Sequence, residues 1–224
     1  MPLPLNRNVR ETNGRLAAVD PDRALRATRS DGDLRLDRVA PGSVLRTAHG
    51  DIAISQAAAP LVAQTAHGRV DVSDLRLGTP GERVDVQSAH GDVVVRLRAP
   101  DAATLAGAAG GRPWVVNLAV AHGNVTLIVP PGLPASYTVS ARRPRGMGGD
   151  VGQVRSDVPL DLTEGADDDR GARDGGEVTR GVGGTPGGAV AVRLRAAAGN
   201  VCVRVAADTA PAPPAVGGRG RGAC

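Results

Sequence analysis

An all-β fold is what this sequence predicts, and more narrowly a parallel β-solenoid with coils of about 18 residues. Three observations lead there. Gly14, Gly32, Gly50 and Gly68 follow one another at a constant spacing of 18 residues, with Gly91, Gly123 and Gly199 continuing the series at longer intervals. Apolar residues flank each of these glycines at every second position. The third is the poverty of large side chains: 224 residues hold no Phe, one Trp (Trp114) and one Tyr (Tyr137). A core of Val, Leu, Ile and Ala suits closely stacked strands better than a thick two-layer sandwich.

Each unit reads as strand, tight turn, strand. Two and four residues after the glycine stand Leu34/Leu36, Ile52/Ile54, Val70/Val72, Val93/Val95, Val125/Leu127 and Val201/Val203. Seven and five residues before it stand Ser43/Leu45, Leu61/Ala63, Val84/Val86, Val116/Leu118 and Val192/Leu194. Polar or small residues fill the gaps, which is the period-two pattern of half-buried strands. The first unit is poor upstream (Arg7, Val9, Glu11), as a terminal cap should be.

The turns have a local cause. All four histidines fall in one motif: TAHGDIAIS (47–55), TAHGRVDVS (65–73), SAHGDVVVR (88–96) and VAHGNVTLI (120–128). Glycine supplies the positive φ of a tight corner, and His, Asn or Asp beside it tolerates or bonds that corner. Asn13-Gly14 and Asp31-Gly32 fill the same place, so His exchanges with Asn and Asp within one chain. The expectation is a structural turn column of His49, Gly50, His67, Gly68, His90, Gly91, His122 and Gly123. An antiparallel hairpin meander, with each His-Gly pair as a two-residue turn, satisfies the same alternation. Recurrence of one corner sequence favours the solenoid, where equivalent residues touch about 4.8 Å apart.

Repeats of the form Gly-Asp/Asn-Ile/Val-x-Val led by Thr/Ser-Ala-His-Gly, as in 47–54 and 88–95, resemble a bacterial adhesin-like domain of unknown function. GNVTLIVPPG (123–132) running into ASYTV (135–139) is similar to the late segment of that family. The resemblance covers about 14–140 and resumes near 190–205. It implies a right-handed β-solenoid and carries no catalytic residues to transfer.

By composition, residues 1–140 form the repeats, with 99–113 as a loop bulging from one coil. Residues 141–188, rich in Gly, Arg and Asp, read as a largely disordered insertion in which Val158, Leu160 and Leu162 could add one short strand. Residues 189–205 read as the closing coil, and 206–224 as a disordered tail.

Candidate chemistry is thin. The net charge of +4 comes from Arg without any Lys, spread among acids, and argues against nucleic-acid binding. The one exception is weak RNA binding by the Arg-Gly tail GGRGRGAC (217–224). A zinc site needs ligands converging at about 2.0–2.1 Å, and a column brings together at most two imidazoles, so no metal and no cofactor is expected. Outward acids Asp51, Asp71, Asp85 and Asp92 with Arg69 and Arg83 could serve a carbohydrate-active enzyme, but solvated strands carry such residues anyway. GVGGTPGG (181–188) lacks the Lys of a phosphate loop. Cys202 reads as a buried small hydrophobe. The expected function is a non-enzymatic module facing a protein or polysaccharide surface, with no membrane span and, lacking a signal peptide, a cytoplasmic location by default.

Overall fold

The computed structural model describes residues 9–12, 15–18, 23–101, 104–105, 111–144, 151–166 and 177–206, with backbone alone for 9–12, 15–18 and 166. Among them run β1 (Val9–Thr12), β2 (Arg15–Ala18), β3 (Arg26–Asp31), β4 (Leu34–Val39), β5 (Ser43–His49) and β6 (Ile52–Ala58). Next come β7 (Leu61–His67), β8 (Val70–Arg76), β9 (Arg83–His90), β10 (Val93–Leu97), β11 (Trp114–His122) and β12 (Val125–Val129). The last six are β13 (Ala135–Arg143), β14 (Val154–Ser156), β15 (Leu160–Ala166), β16 (Glu177–Gly184), β17 (Val190–Ala198) and β18 (Val201–Val205).

The protein is all-β, with two nine-stranded, mostly parallel sheets. Sheet A has the order β1-β2-β4-β6-β8-β10-β12-β18-β14, and sheet B the order β15-β16-β13-β17-β11-β9-β7-β5-β3. From β3 to β12 the chain alternates between them, crossing from B to A at each motif glycine. Ile52 and Ile54 pair in parallel with Val70 and Val72. His49, His67, His90 and His122 are successive register partners. A hairpin meander is therefore overturned for the His-Gly units.

Alternation then decides burial. Leu45, Ile52, Ile54, Leu61, Val70, Val72, Val84 and Val93 are at most 1% exposed, and inward residues of both sheets share one core. Trp114 is wholly buried and its indole N–H donates to the Gly78 carbonyl at 3.2 Å. Burial raises Tyr137 above the ordinary phenol value. A raised acid favours the neutral form in the fold, so this contribution to stability is present below the unfolded pKa of about 10 and lost as pH rises through the folded one. With one tyrosine in the chain, ultraviolet titration should show phenolate appearing above pH 10 and together with unfolding; a free titration at the ordinary value would contradict its burial.

Four sequence expectations need correction. Thr12 pairs antiparallel with Arg15, so the first unit is a hairpin flanking residues 13–14, whose placement lies outside the described residues. Asn-Gly is the favoured two-residue hairpin turn, whereas His-Gly is not. Secondly, the insertion 141–188 carries β14, β15 and β16 in its described part: β16 pairs antiparallel with β13, and β15 with β16. Residues 145–150 and 167–176 lie outside the described residues, as does the tail from 207. Thirdly, 190–205 is not the closing layer. β17 lies between β11 and β13, and β18 between β12 and β14. Finally, GVGGTPGG (181–188), placed by composition within the largely disordered insertion, is part of that arrangement. The link from β16 to β17 crosses the start of β13, and a Cβ at Gly184 or Gly188 would meet the carbonyl oxygen of Ala135 or Pro134.

Within the 99–113 loop, the Thr104 amide donates to Asp101 Oδ1 at 2.7 Å, and hydrogen bonding from the Thr104 side chain first and this amide second holds the Asp101 carboxyl below its usual value.

Candidate functional site

The corner between sheets B and A is where the repeated motif lies, and its residue types divide into four columns. The first is aromatic. Ring centroids of His49–His67, His67–His90 and His90–His122 are 5.1, 4.7 and 4.8 Å apart, with planes within 4° of parallel. All four residues are exposed. Strand spacing sets the distance, since in-register partners in adjacent strands sit about 4.8 Å apart. Asp31 ends the row, its Oδ1 3.3 Å from His49 Nδ1, and Ala198 holds the next register place beyond His122.

The glycines form the second column. Gly50, Gly68, Gly91 and Gly123 have φ of +143°, +150°, +138° and +138°. A Cβ on each would also run into the backbone carbonyl of the preceding motif glycine. Positive φ was legible in the sequence; the lack of space is the addition. The same contact lets the Gly50 amide donate to His67 O at 2.8 Å, Gly68 to His90 O at 2.8 Å and Gly91 to His122 O at 2.9 Å.

Sequence reasoning missed the third column. Thr65 Oγ1 donates to Gly50 O at 3.1 Å and Ser88 Oγ to Gly68 O at 2.9 Å; Thr47 reaches Gly32 O at a longer 3.4 Å. These hydroxyls are buried, 4–5% exposed. The available signal was a hydroxyl recurring at one offset within an otherwise apolar inward row. Replacing Thr65 by Val keeps the shape and removes the donor, and is expected to cost about 1 kcal/mol. Urea unfolding followed by Trp114 emission measures this, and an unchanged midpoint would show that the Gly50 carbonyl needs no partner.

The fourth column follows the glycines. Asp33 Oδ1 accepts the Asp51 amide at 3.0 Å, and Asp51 Oδ1 the Arg69 amide at 2.7 Å. After Arg69, which carries no acceptor, the ladder resumes: Asp92 Oδ1 to the Asn124 amide at 2.8 Å, and Asn124 Oδ1 to the Asn200 amide at 3.1 Å. Asn200 Oδ1 then accepts the Gln153 amide at 2.9 Å, which passes from the inserted layer to the outer one. Asp or Asn after the glycine is thus a layer-to-layer acceptor.

The outward acids do not gather. Asp51 and Asp92 belong to that ladder. Asp71 lies on sheet A, 3.1 Å from Arg69. Asp85 lies on sheet B, 2.6 Å from Arg83 and 2.9 Å from the Asn117 amide nitrogen. Hydrogen bonding to Asp85 first, and its charge second, raises Arg83 above the ordinary arginine value. Cys202 is buried, and among the described residues no three His, Cys, Asp or Glu side chains are grouped to hold a metal ion. A shallow cleft of about 640 Å³ lies elsewhere, lined by Pro41, Arg76, Thr79, Glu82 and Thr104 among others. No helix among the described residues is long and apolar enough to cross a membrane.

Fold and corner together define an all-β protein with two parallel-dominated sheets whose polar motif residues bond one layer to the next. Compared with known proteins, the chain matches no family model, no curated protein and no solved structure.

Proposed function

We propose that the chain is an adhesin-like, right-handed β-solenoid that acts as a non-enzymatic structural or interaction module. One observation carries this reading: the repeated polar residues of the motif are engaged by their counterparts in adjacent layers. Hydroxyls meet glycine carbonyls, Asp and Asn meet amides, and imidazoles meet imidazoles. Residues committed to stacking serve shape, and a regular stack offers a partner a repeating outer face. On sheet B one such outward row runs Arg46, Gln64, Gln87, Ala119, Arg195. Its long polar side chains suit an acidic protein or polysaccharide surface.

Incubation with acidic and neutral polysaccharides, reading both retention and release of new chain ends, tests the proposal. Retention without turnover, weakened by Arg46→Ala with Arg195→Ala, is the expected result. Turnover abolished by Asp85→Asn would replace the module with a carbohydrate-active enzyme.

A further inference from the structure

We propose that copies of this chain join end to end, with the β15 edge of one meeting the β3 edge of the next in sheet B while β14 meets β1 in sheet A. The partner is a second copy, and the inference rests on strand pairing rather than on the adhesin-like reading.

The two ends of the fold are complementary steps. At one end sheet A continues past β4 by two strands, β2 and β1, while sheet B stops at β3. At the other, sheet B continues past β13 by two strands, β16 and β15, while sheet A stops at β14. Two strands project from opposite sheets at opposite ends. Brought together, each projection fills the gap left by the other, and both sheets run on without a missing layer. Directions also agree: β15 is parallel to β13 through two reversals, so it meets β3 in the sense in which β3 already meets β5.

Register supplies the chemical match. Followed through every pairing of sheet B, the row that begins at Asp161 ends at Arg26. The row of Glu164 ends at Arg29, and that of Leu162 at Ala27, through the same pairings. Continuing the sheet into a second copy without a shift therefore sets acid beside base in two rows. It also places Leu162, 50% exposed, on Ala27 in the inward row. In the projecting β2, Leu16 holds the register place beside inward Leu34. Opposite edge charges also choose the mode. β15 carries only acids, Asp161 and Glu164, so two β15 edges would oppose carboxylates, whereas the β3 edge offers them Arg26 and Arg29. Such a head-to-tail contact does not close on itself and yields linear chains.

Sedimentation velocity over a concentration series of the full chain tests this. Wild type should gain mass with concentration, and less so at high salt. Asp161→Arg alone and Arg26→Asp alone should each weaken association tenfold or more, while their equimolar mixture, in which every junction again pairs acid with base, should recover it. Both positions are exposed, and unchanged Trp114 emission in each variant checks the fold. A wild type that stays a single chain at every concentration overturns the proposal. So does association that neither variant weakens, or a mixture that fails to recover.

Discussion

Replacing Gly68 with alanine is expected to destabilise the protein by about 3 kcal/mol or more. Two penalties coincide there. The backbone has φ of +150°, and the added methyl would strike the Gly50 carbonyl, which is fixed by the Thr65 hydroxyl. Neither can relax without opening the layer spacing that the His67 carbonyl and Gly50 amide set. Two other glycines separate the penalties. Gly132 has φ of +71°, and a methyl added there would meet no atom within 4 Å, so its alanine variant should lose only about 1 kcal/mol from backbone strain. Gly199 has no such φ, yet its methyl would meet the Gly123 carbonyl, so its loss reports the contact alone. Urea denaturation read by Trp114 gives all three values. Equal losses at Gly68 and Gly132 would mean that the corner is a matter of φ and that stacking adds nothing.

Ending the chain after residue 189 should release β13 through β16 as a block while leaving β4 through β10 folded. β17 separates β13 from β11, and among the described residues β14 pairs with β18 alone. Removing that layer takes away the attachment of everything beyond it. The earlier layers keep their neighbours, and stability in a stack is a sum over nearest neighbours. Hydrogen exchange on the truncated chain should show amides of 43–97 still protected and those of 135–143 and 177–184 exchanging freely. Protection persisting at 135–143 while 177–184 exchanges freely would mean that β13 can pair directly with β11, so that β17 and β18 are wedged into an interface that closes without them.

What the sequence reveals depends on how local each cause is. The units from Leu34 to Leu97 are legible because a glycine fixes each corner and alternation fixes each inward face. Gly14 shares the spacing of the other motif glycines, yet the flanking strands β1 and β2 pair with each other antiparallel, an outcome that spacing alone does not signal. The place of β17 has no local signal. Its Val192 and Leu194 alternate like those of every other inward strand, and its neighbours are decided by pairing with Tyr137 and Val139 far back in the chain. Gly181, Gly183 and Gly184 resemble disorder by composition. A Cβ at Gly183 or Gly184 would instead meet the carbonyl oxygen of Pro159 or Ala135, and one at Gly181 the methyl groups of Leu162 and Val139. The hydroxyls of Thr65 and Ser88 are hard to single out because one buried hydroxyl means little; only its acceptor, the preceding glycine carbonyl, gives it a purpose.

Layer-on-layer contact between successive corners is most directly tested by scalar coupling across a single hydrogen bond. In a labelled sample, the Gly50 amide nitrogen should couple to the carbonyl carbon of His67, its acceptor at 2.8 Å one layer on. An uncoupled Gly50 amide, with the Asp51 amide coupled instead to the Ala48 carbonyl and the Ala53 amide to that of Arg46, would place the two strands in a hairpin about His49-Gly50 and contradict the stack.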